Sequence, residues 1–364
     1  MYFFFRPCSR MKHMQINKST KHPSQNNHTC CVIFFVSNRG WKITEPLCKV
    51  GFKPFIIVCK GSFLRRVYAF ILLFRELYRR PDALIFTDTS VWIGLLTWIA
   101  AKFFKRSYIL RLRGDTVAEM SLRKKSFHIN FFINRLIPDA KALVPVSEYL
   151  KKQITHQVPR YDVSKIFAVS TPVKAAEAIE PLSKRSSVLL IVTNFKFYPK
   201  IKRLLYMGND FDELLEADTK AVIYVFGTGK LLTCFQRQKR KMTHSDRIHL
   251  KGFTPNVDNF YKSAKCLVHI SDLDAYPSVV NEARAHGLPV IGSNTVGIKE
   301  QIRDNIDGLI IDEKRSLKDA WLFLSDNDNW KRISSNGYAK MIKENGFDVI
   351  GRRFLSIISQ VAGK

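Results

Sequence analysis

The chain has 364 residues, of which 46% are hydrophobic and 25% charged, and a formal net charge of +28 at pH 7. This length fits two domains of about 150 residues each, and the composition excludes a largely disordered chain. The charge is uneven. Residues 1–174 hold 30 Lys and Arg against 9 Asp and Glu (+21), and the remainder holds 29 against 22 (+7). A one-sided positive field indicates a polyanionic partner, either an anionic membrane face or nucleic acid.

The seven cysteines are scattered and form no C-x-x-C pair. They suggest neither a zinc site nor a disulfide framework, and they suit a reducing cytoplasm. Residues 1–30 have no apolar period, and we interpret them as a mobile tail. The apolar run 91–104 is shorter than the ~20 residues that a spanning helix needs, so a buried crossover helix is expected.

Apolar runs alternate with helical patterns along the chain. The first set of predicted strands covers 32–36, 54–59, 83–87, 108–112 and 142–146, with helices at 63–78, 91–104 and 148–154. This rhythm predicts a parallel sheet covered on both faces, and Ser147 is placed to cap the third helix. The rhythm defines a first domain over 31–170, and a linker rich in Pro and small residues follows at 171–187.

A second domain, 188–345, repeats the pattern. Its predicted strands cover 188–192, 221–226, 247–250, 266–270, 289–292 and 308–311, with helices at 202–215 and 277–286. Two such domains enclose a cleft, and ligands of these sheets bind beyond the carboxyl ends of the strands.

The segment 271–311 carries the clearest chemical pattern. A nucleotide sugar needs backbone N–H donors for its diphosphate, and the start of a helix after Pro277 offers them. A carboxylate one turn further on, Glu282, would accept hydrogen bonds from ribose hydroxyls, and Asp274 would accept them from the sugar. The N–H donors expected to bind the diphosphate belong to Ser278, Val279 and Val280.

Two acids eight positions apart, followed by E-A-x-A-x-G-x-P-V, resemble the signature of family 4 glycosyltransferases. The acids are Asp274 and Glu282, and the similarity continues through Gly297 and Glu300 to the sequence D-G-L at 307–309. The resemblance implies an α/β GT-B fold, in which two Rossmann-like βαβ domains face each other across a donor and acceptor cleft. It also implies that a final helix within 346–364 returns to the first domain.

The same resemblance assigns further donor-site residues. Lys200 matches a lysine that clamps the donor phosphates in the family, whereas the usual arginine position falls on Asn194, with Lys196 or Lys202 as candidate substitutes. Gly227 and Gly229 resemble the family's G-x-G turn. Gly297 and Glu300 are expected to contact the donor, and the catalytic set is expected to be Asp115, Lys200, Asp274 and Glu282.

The acceptor side is expected where the fourth strand ends, at the sequence R-L-R-G-D of 111–115. Asp115 would orient the acceptor hydroxyl, and Arg111 and Arg113 would bind an anionic acceptor, with the donor phosphate as the alternative ligand of Arg113. The alternative is a structural Arg–Asp pair at the end of a strand. The loop 37–41 has one glycine where the family has a glycine-rich turn, so close approach of its backbone to the donor is in doubt.

The family retains the configuration of the anomeric carbon, usually without metal, so no cofactor or metal is expected. The expected partners are a nucleotide-sugar donor and a glycan or lipid-linked acceptor, in cell-surface glycan or polysaccharide biosynthesis. The basic first half suggests peripheral binding to the inner membrane face, through the arginines of 65–80 and the run 123–125. Nucleic acid is not expected. The alternatives are a non-enzymatic polyanion-binding protein and an inactive or epimerase relative.

Overall fold

The computed structural model describes residues 31–37, 41–88, 91–114, 116–122 and 126–363. Four predictions fall outside the described residues: the tail 1–30, most of the loop 37–41, the basic run 123–125 and the catalytic role of Asp115. Among the described residues, no helix combines the length and the apolar character that a membrane span requires.

The first domain is built on a sheet of five parallel strands in the order β2-β1-β3-β4-β5. The strands are β1 Val32–Val36, β2 Phe55–Val58, β3 Leu84–Asp88, β4 Tyr108–Leu112 and β5 Ala142–Pro145. The helices are α1 Trp41–Lys49, α2 Phe63–Arg79, α3 Val91–Phe104, α4 Thr116–Leu122, α5 Ser126–Phe131 and α6 Glu148–Gln157. Apart from the edge strand β2, every strand of this sheet is buried along its whole length, because helices cover both faces.

The second domain carries six parallel strands in the order β11-β10-β9-β6-β7-β8. They are β6 Val188–Val192, β7 Val222–Phe226, β8 Ile248–Gly252, β9 Cys266–His269, β10 Val290–Ser293 and β11 Leu309–Ile311. The helices are α7 Tyr198–Leu205, α8 Gly208–Ala217, α9 Leu232–Lys239, α10 Asp258–Ser263, α11 Ser278–Arg284, α12 Val296–Gln301, α13 Leu317–Phe323 and α14 Asn327–Asn345. A last helix, α15 Phe347–Ala362, follows the second domain. The predicted α/β class with two parallel sheets is confirmed.

One predicted helix is wrong in extent. The pattern at 202–215 was expected to form one helix, but α7 ends at Leu205 and α8 begins at Gly208. Met207 between them is buried in the core of the second domain, so the chain turns there to bring it inward. Gly208, with its low helix propensity, marks the restart.

The segment 171–187 is held against the second domain. Ile179 and Leu182 pack on its core, and the buried guanidinium of Arg185 donates to the carbonyls of Tyr261 and His286 at 2.8 and 2.9 Å. Burial lowers the pKa of Arg185 to about 10. The segment that connects the domains is therefore bound firmly to the second domain.

Helix α15 lies against α1, on the face of the first sheet opposite α2 and α3. A Cβ at Gly351 would stand 2.4 Å from the Pro46 carbonyl oxygen, so α1 and α15 approach as closely as glycine allows. Phe354 packs edge-on against Phe86, with ring centroids 5.8 Å apart. The last helix of the chain therefore completes the core of the first domain.

Candidate functional site

A cavity of about 290 Å³ lies between the two domains. It opens where β4, β9 and β10 end, which is the position at which parallel sheets of this kind bind ligands. Both domains contribute to its wall, and positive and negative side chains face each other across it. The lining residues are Arg113, Gly114, Tyr149, Lys200, Asp272, Leu273, Asp274, Ala275, Tyr276, Asn294, Thr295, Val296, Gly297 and Lys299.

Asp274 is the most strongly perturbed acid of this cavity. Lys200 Nζ lies 3.0 Å from Oδ1, and His269 Nε2 lies 3.2 Å from Oδ2. Burial alone would raise the pKa of Asp274, but the hydrogen bond with His269 and the charge of Lys200 outweigh it and lower the pKa to about 2. The structure thus brings together two predicted catalytic residues, Lys200 and Asp274, and keeps the carboxylate charged at neutral pH.

Glu282 does not line the cavity. Its Oε1 pairs with Lys42 Nζ of α1 at 3.0 Å, and its Oε2 accepts a hydrogen bond from the Tyr261 hydroxyl at 3.4 Å. Burial, reinforced by the Glu282 charge, raises the pKa of Tyr261 well above its usual value, so the phenol stays a donor. The carboxylate therefore joins the two domains across the cleft through Lys42.

Glu300 differs from its predicted place. Its carboxylate accepts hydrogen bonds from the backbone N–H groups of Glu148 and Tyr149, at 2.8 and 2.9 Å. Ser147 Oγ accepts from the next free donor, Leu150 N, at 3.1 Å, as predicted for its capping role. Glu300 thus caps α6 of the other domain, because a helix N-terminus attracts a carboxylate.

The glycines predicted for the donor site serve close packing. A Cβ at Gly227 or Gly229 would lie 1.8 Å from the Thr193 oxygen or 2.3 Å from the Phe195 carbonyl, and both residues have positive φ. At Gly297 it would lie 1.9 Å from the Asp274 carbonyl oxygen. These glycines therefore shape the loops that carry Asp274 and Lys200.

The five other donor-site predictions are not among the described residues that line the cavity. Asn194 and Lys196 are exposed on the loop after β6, and of that region only Lys200 is among the described residues that line the cavity. Val280 is also misplaced as a diphosphate donor, because its N–H already donates to the Pro277 carbonyl at 3.3 Å. Ser278 and Val279 are the first two residues of α11. The helix begins one residue later than predicted, because Pro277 is its N-cap and not its first helical residue.

Arg111 is not placed to bind an acceptor. It is 2% exposed, and its guanidinium donates to the carbonyls of Val144, Val169 and Ser170. Burial, aided by the nearby charge of Arg113, lowers the pKa of Arg111 to about 9. Arg111 therefore has a structural role: it supplies hydrogen-bond donors to carbonyl groups that are buried near the end of the sheet and would otherwise lack a partner.

Arg113 does line the cavity, and it pairs with Asp88 at the end of the neighbouring strand. Its NH1 lies 2.6 Å from Asp88 Oδ2, and the same oxygen accepts from Ser37 Oγ at 2.7 Å. Asp88 is buried at the end of β3, and within the described residues its Oδ1 has no hydrogen-bond partner. The Arg–Asp pair thus joins the ends of β3 and β4.

Three residues of this site were missed from the sequence. Lys42, His269 and Asp88 come from elements that lie far apart in the chain and meet only in the folded protein. A signal was available for two of them, since His269 and Asp88 are polar residues at the ends of apolar strands. Lys42 carried none, because it is one cation of a basic helical stretch.

Residues 174–340 match the sequence family of Glycosyl transferases group 1. A comparison with curated proteins finds no significant match. HepE of Anabaena, solved with UDP and glucose, matches with a TM-score of 0.73 at 12% identity, covering 91% of this chain and 100% of HepE. A glycosyltransferase from Rickettsia africae matches with a TM-score of 0.70 at 15% identity, covering 92% and 99%.

The lipopolysaccharide outer core galactosyltransferase WaaB, in its apo form, matches with a TM-score of 0.57 at 16% identity, covering 90% and 99%. At these identities the likeness concerns the fold. The chain has the GT-B fold, and its second domain, with the part of the connecting segment from residue 174, carries the sequence features of group 1 glycosyl transferases.

Proposed function

We propose that this protein is a retaining glycosyltransferase of the family 4 type. It would move a sugar from a nucleotide-sugar donor to a hydroxyl of a glycan or lipid-linked acceptor, in cell-surface glycan or polysaccharide biosynthesis. The observation that carries the proposal is the interdomain cavity in which Lys200 pairs with Asp274, within a segment that matches group 1 glycosyl transferases. A uridine nucleotide is favoured, since HepE is described with UDP and with UDP-glucose.

In the proposed reaction, negative charge develops on the diphosphate as it leaves the sugar. The bond between the anomeric carbon and the diphosphate oxygen breaks while the acceptor oxygen bonds to the same face of that carbon. The acceptor proton passes to the leaving oxygen. Lys200 and Arg113, both in the cavity wall, would stabilise the new negative charge. These two side chains supply the cations that the leaving group needs, so no metal ion or other cofactor is part of the proposal.

The carboxylates would bind hydroxyl groups. Asp274, held charged by Lys200 and His269, would accept hydrogen bonds from the donor sugar. Glu282 would accept them from the ribose, which requires the ribose to take the place of Lys42 or to join it. Asp115 remains the proposed residue for the acceptor hydroxyl. The acceptor would be reached at the inner face of a membrane by a peripheral cytoplasmic protein.

Ligand-induced thermal stabilisation tests the donor site. The wild type and Glu282→Ala are heated with UDP, GDP, ADP and their common sugar conjugates, and each shift is compared with the same protein alone. Binding at 100 times Kd should stabilise the wild type by ~2.7 kcal/mol. Glu313→Ala, an exposed acid of the same domain, is the control and should keep the full shift.

A shift with uridine ligands that Glu282→Ala loses and Glu313→Ala keeps would support the proposal. No shift with any nucleotide would overturn it and favour an inactive relative.

A further inference from the structure

Helix α2 is apolar on two sides. Its buried side packs on the first core through Ala69, Leu73 and Leu77. The opposite side is exposed and is also rich in large apolar residues at three- and four-residue spacing, which places them on one face of the helix. This outer face carries Leu64, Val67, Tyr68, Ile71 and Tyr78, with exposed fractions of 77, 38, 48, 57 and 81%.

Helix α3 extends this surface. Trp92, Ile99 and Phe103 recur at the spacing of one helix face and are exposed by 59, 39 and 71%. Phe103 packs against Phe74 of α2, with ring centroids 5.4 Å apart. Phe74 lies four positions before Tyr78, on the same side of α2. The outer faces of the two helices are therefore neighbours, and we call them together the α2–α3 face.

The charges that α2 presents to solvent are positive, and the acid beside α3, Asp139, is paired with Lys102 at 3.0 Å. Helix α2 carries Arg65, Arg66, Arg75 and Arg79, and its one acid, Glu76, is buried beneath them and paired with two of them. Helix α3 contains no acid. Arg65 and Arg66 stand at the exposed start of α2, beside Leu64 and Val67.

Neighbouring exposed apolar side chains that form one continuous surface commonly mark a binding site. Arginines beside large apolar and aromatic side chains suit an anionic bilayer, whose headgroups attract the cations and whose acyl boundary accepts the apolar groups.

We infer that the α2–α3 face docks on an anionic lipid bilayer, with the outer face of α2 lying in the interface. The inference deepens the proposed function, since it places the membrane at which a lipid-linked acceptor would be met. This docking would combine insertion of apolar side chains into the bilayer interface with attraction between arginines and anionic headgroups. Binding is measured without turnover and without nucleotide, so its failure and the failure of the proposed transferase activity are separate results.

Vesicle co-flotation of the full chain is the test. Vesicles of phosphatidylcholine alone are compared with vesicles containing 30% phosphatidylglycerol. The wild type should float with the anionic vesicles. Arg65→Gln/Arg66→Gln should lower the partition coefficient about 30-fold, because each basic residue near such a surface contributes ~1 kcal/mol. Leu64→Ser/Ile71→Ser, which keeps every charge, should lower it at least about tenfold.

Matched controls carry the same substitutions on the second domain. Arg237→Gln/Arg240→Gln removes two exposed charges at the end of α9, and Leu322→Ser/Ile342→Ser removes partly exposed apolar groups from α13 and α14. Both should bind as the wild type does.

Three outcomes would overturn the inference: equal binding to both vesicle types, equal effects of α2 and control variants, or a stable dimer that Leu64→Ser/Ile71→Ser dissociates while vesicle binding is unchanged. The last result would assign the face to a second copy of the chain.

Discussion

Replacing Asp274 by Asn should destabilise the folded protein in a pH-dependent way. The carboxylate bonds to Lys200 and His269, and its pKa falls from 3.8 to about 2 on folding. A folded pKa below the unfolded one contributes stability that is present above the unfolded pKa and is lost as the pH falls through the folded one. With ~1.4 kcal/mol per pKa unit, the contribution is ~2.5 kcal/mol at pH 6 and about half of that at pH 3.

Urea unfolding followed by tryptophan fluorescence measures this contribution, since Trp321 and Trp330 are buried in the core of the same domain. The free energy of unfolding of Asp274→Asn should lie ~2.5 kcal/mol below that of the wild type at pH 6 and about 1 kcal/mol below it at pH 3. Asp272→Asn, an exposed neighbour in the same loop, should show no such difference. A difference for Asp274→Asn that is constant between pH 6 and pH 3 would refute the contact with Lys200 and His269.

Further variants test the other contacts of the site by urea unfolding. Glu300→Ala should lower the free energy of unfolding by ~1–2 kcal/mol, because α6 loses the acceptor of two backbone N–H groups. An effect no larger than that of Glu313→Ala would contradict this capping role. Gly297→Ala should lower the free energy of unfolding by ~3 kcal/mol because of overpacking. Gly208→Ala lies in a helix with ordinary contacts and should leave the stability unchanged or raise it. Equal effects of the two substitutions would show that the close approach at Gly297 is absent. Arg111→Met should cost ~3 kcal/mol, since buried carbonyls lose their donor, and should leave nucleotide binding unchanged; lost turnover at unchanged stability would return Arg111 to the acceptor site.

The sheets could be predicted from the sequence because strands buried on both faces are continuous apolar runs. In both domains the predicted strands lie within two residues of the observed ones at each end. Helix ends were less well predicted where a single buried side chain, such as Met207, decides the turn. Local pattern carries no information on where the core of the domain will be, so the break between α7 and α8 was not visible.

The sequence predicted where in the fold the candidate site lies and some of the residues that line it. Lys200, Asp274 and Gly297 share one cavity, because a short loop and a helix start place them there. The backbone contacts of Glu300 and Arg111 were not predicted, since each binds groups of a segment distant in the chain. Backbone partners leave no trace in the side-chain pattern, and only the assembled fold shows that a carboxylate faces a helix N-terminus or that a guanidinium faces the carbonyls of a strand end.

The two carboxylates that follow Asp274 in the family-like segment both hold the domains together. Glu282 reaches Lys42 of α1, and Glu300 reaches the start of α6. The two contacts differ in what could replace them. The N–H groups of α6 keep an acceptor only while Glu300 stays, so that contact should persist through donor binding. The Lys42–Glu282 pair joins two side chains, and a ribose hydroxyl could take its place on Glu282 while Lys42 turns to the diphosphate. Donor binding would then exchange one interdomain contact and leave the other as the hinge.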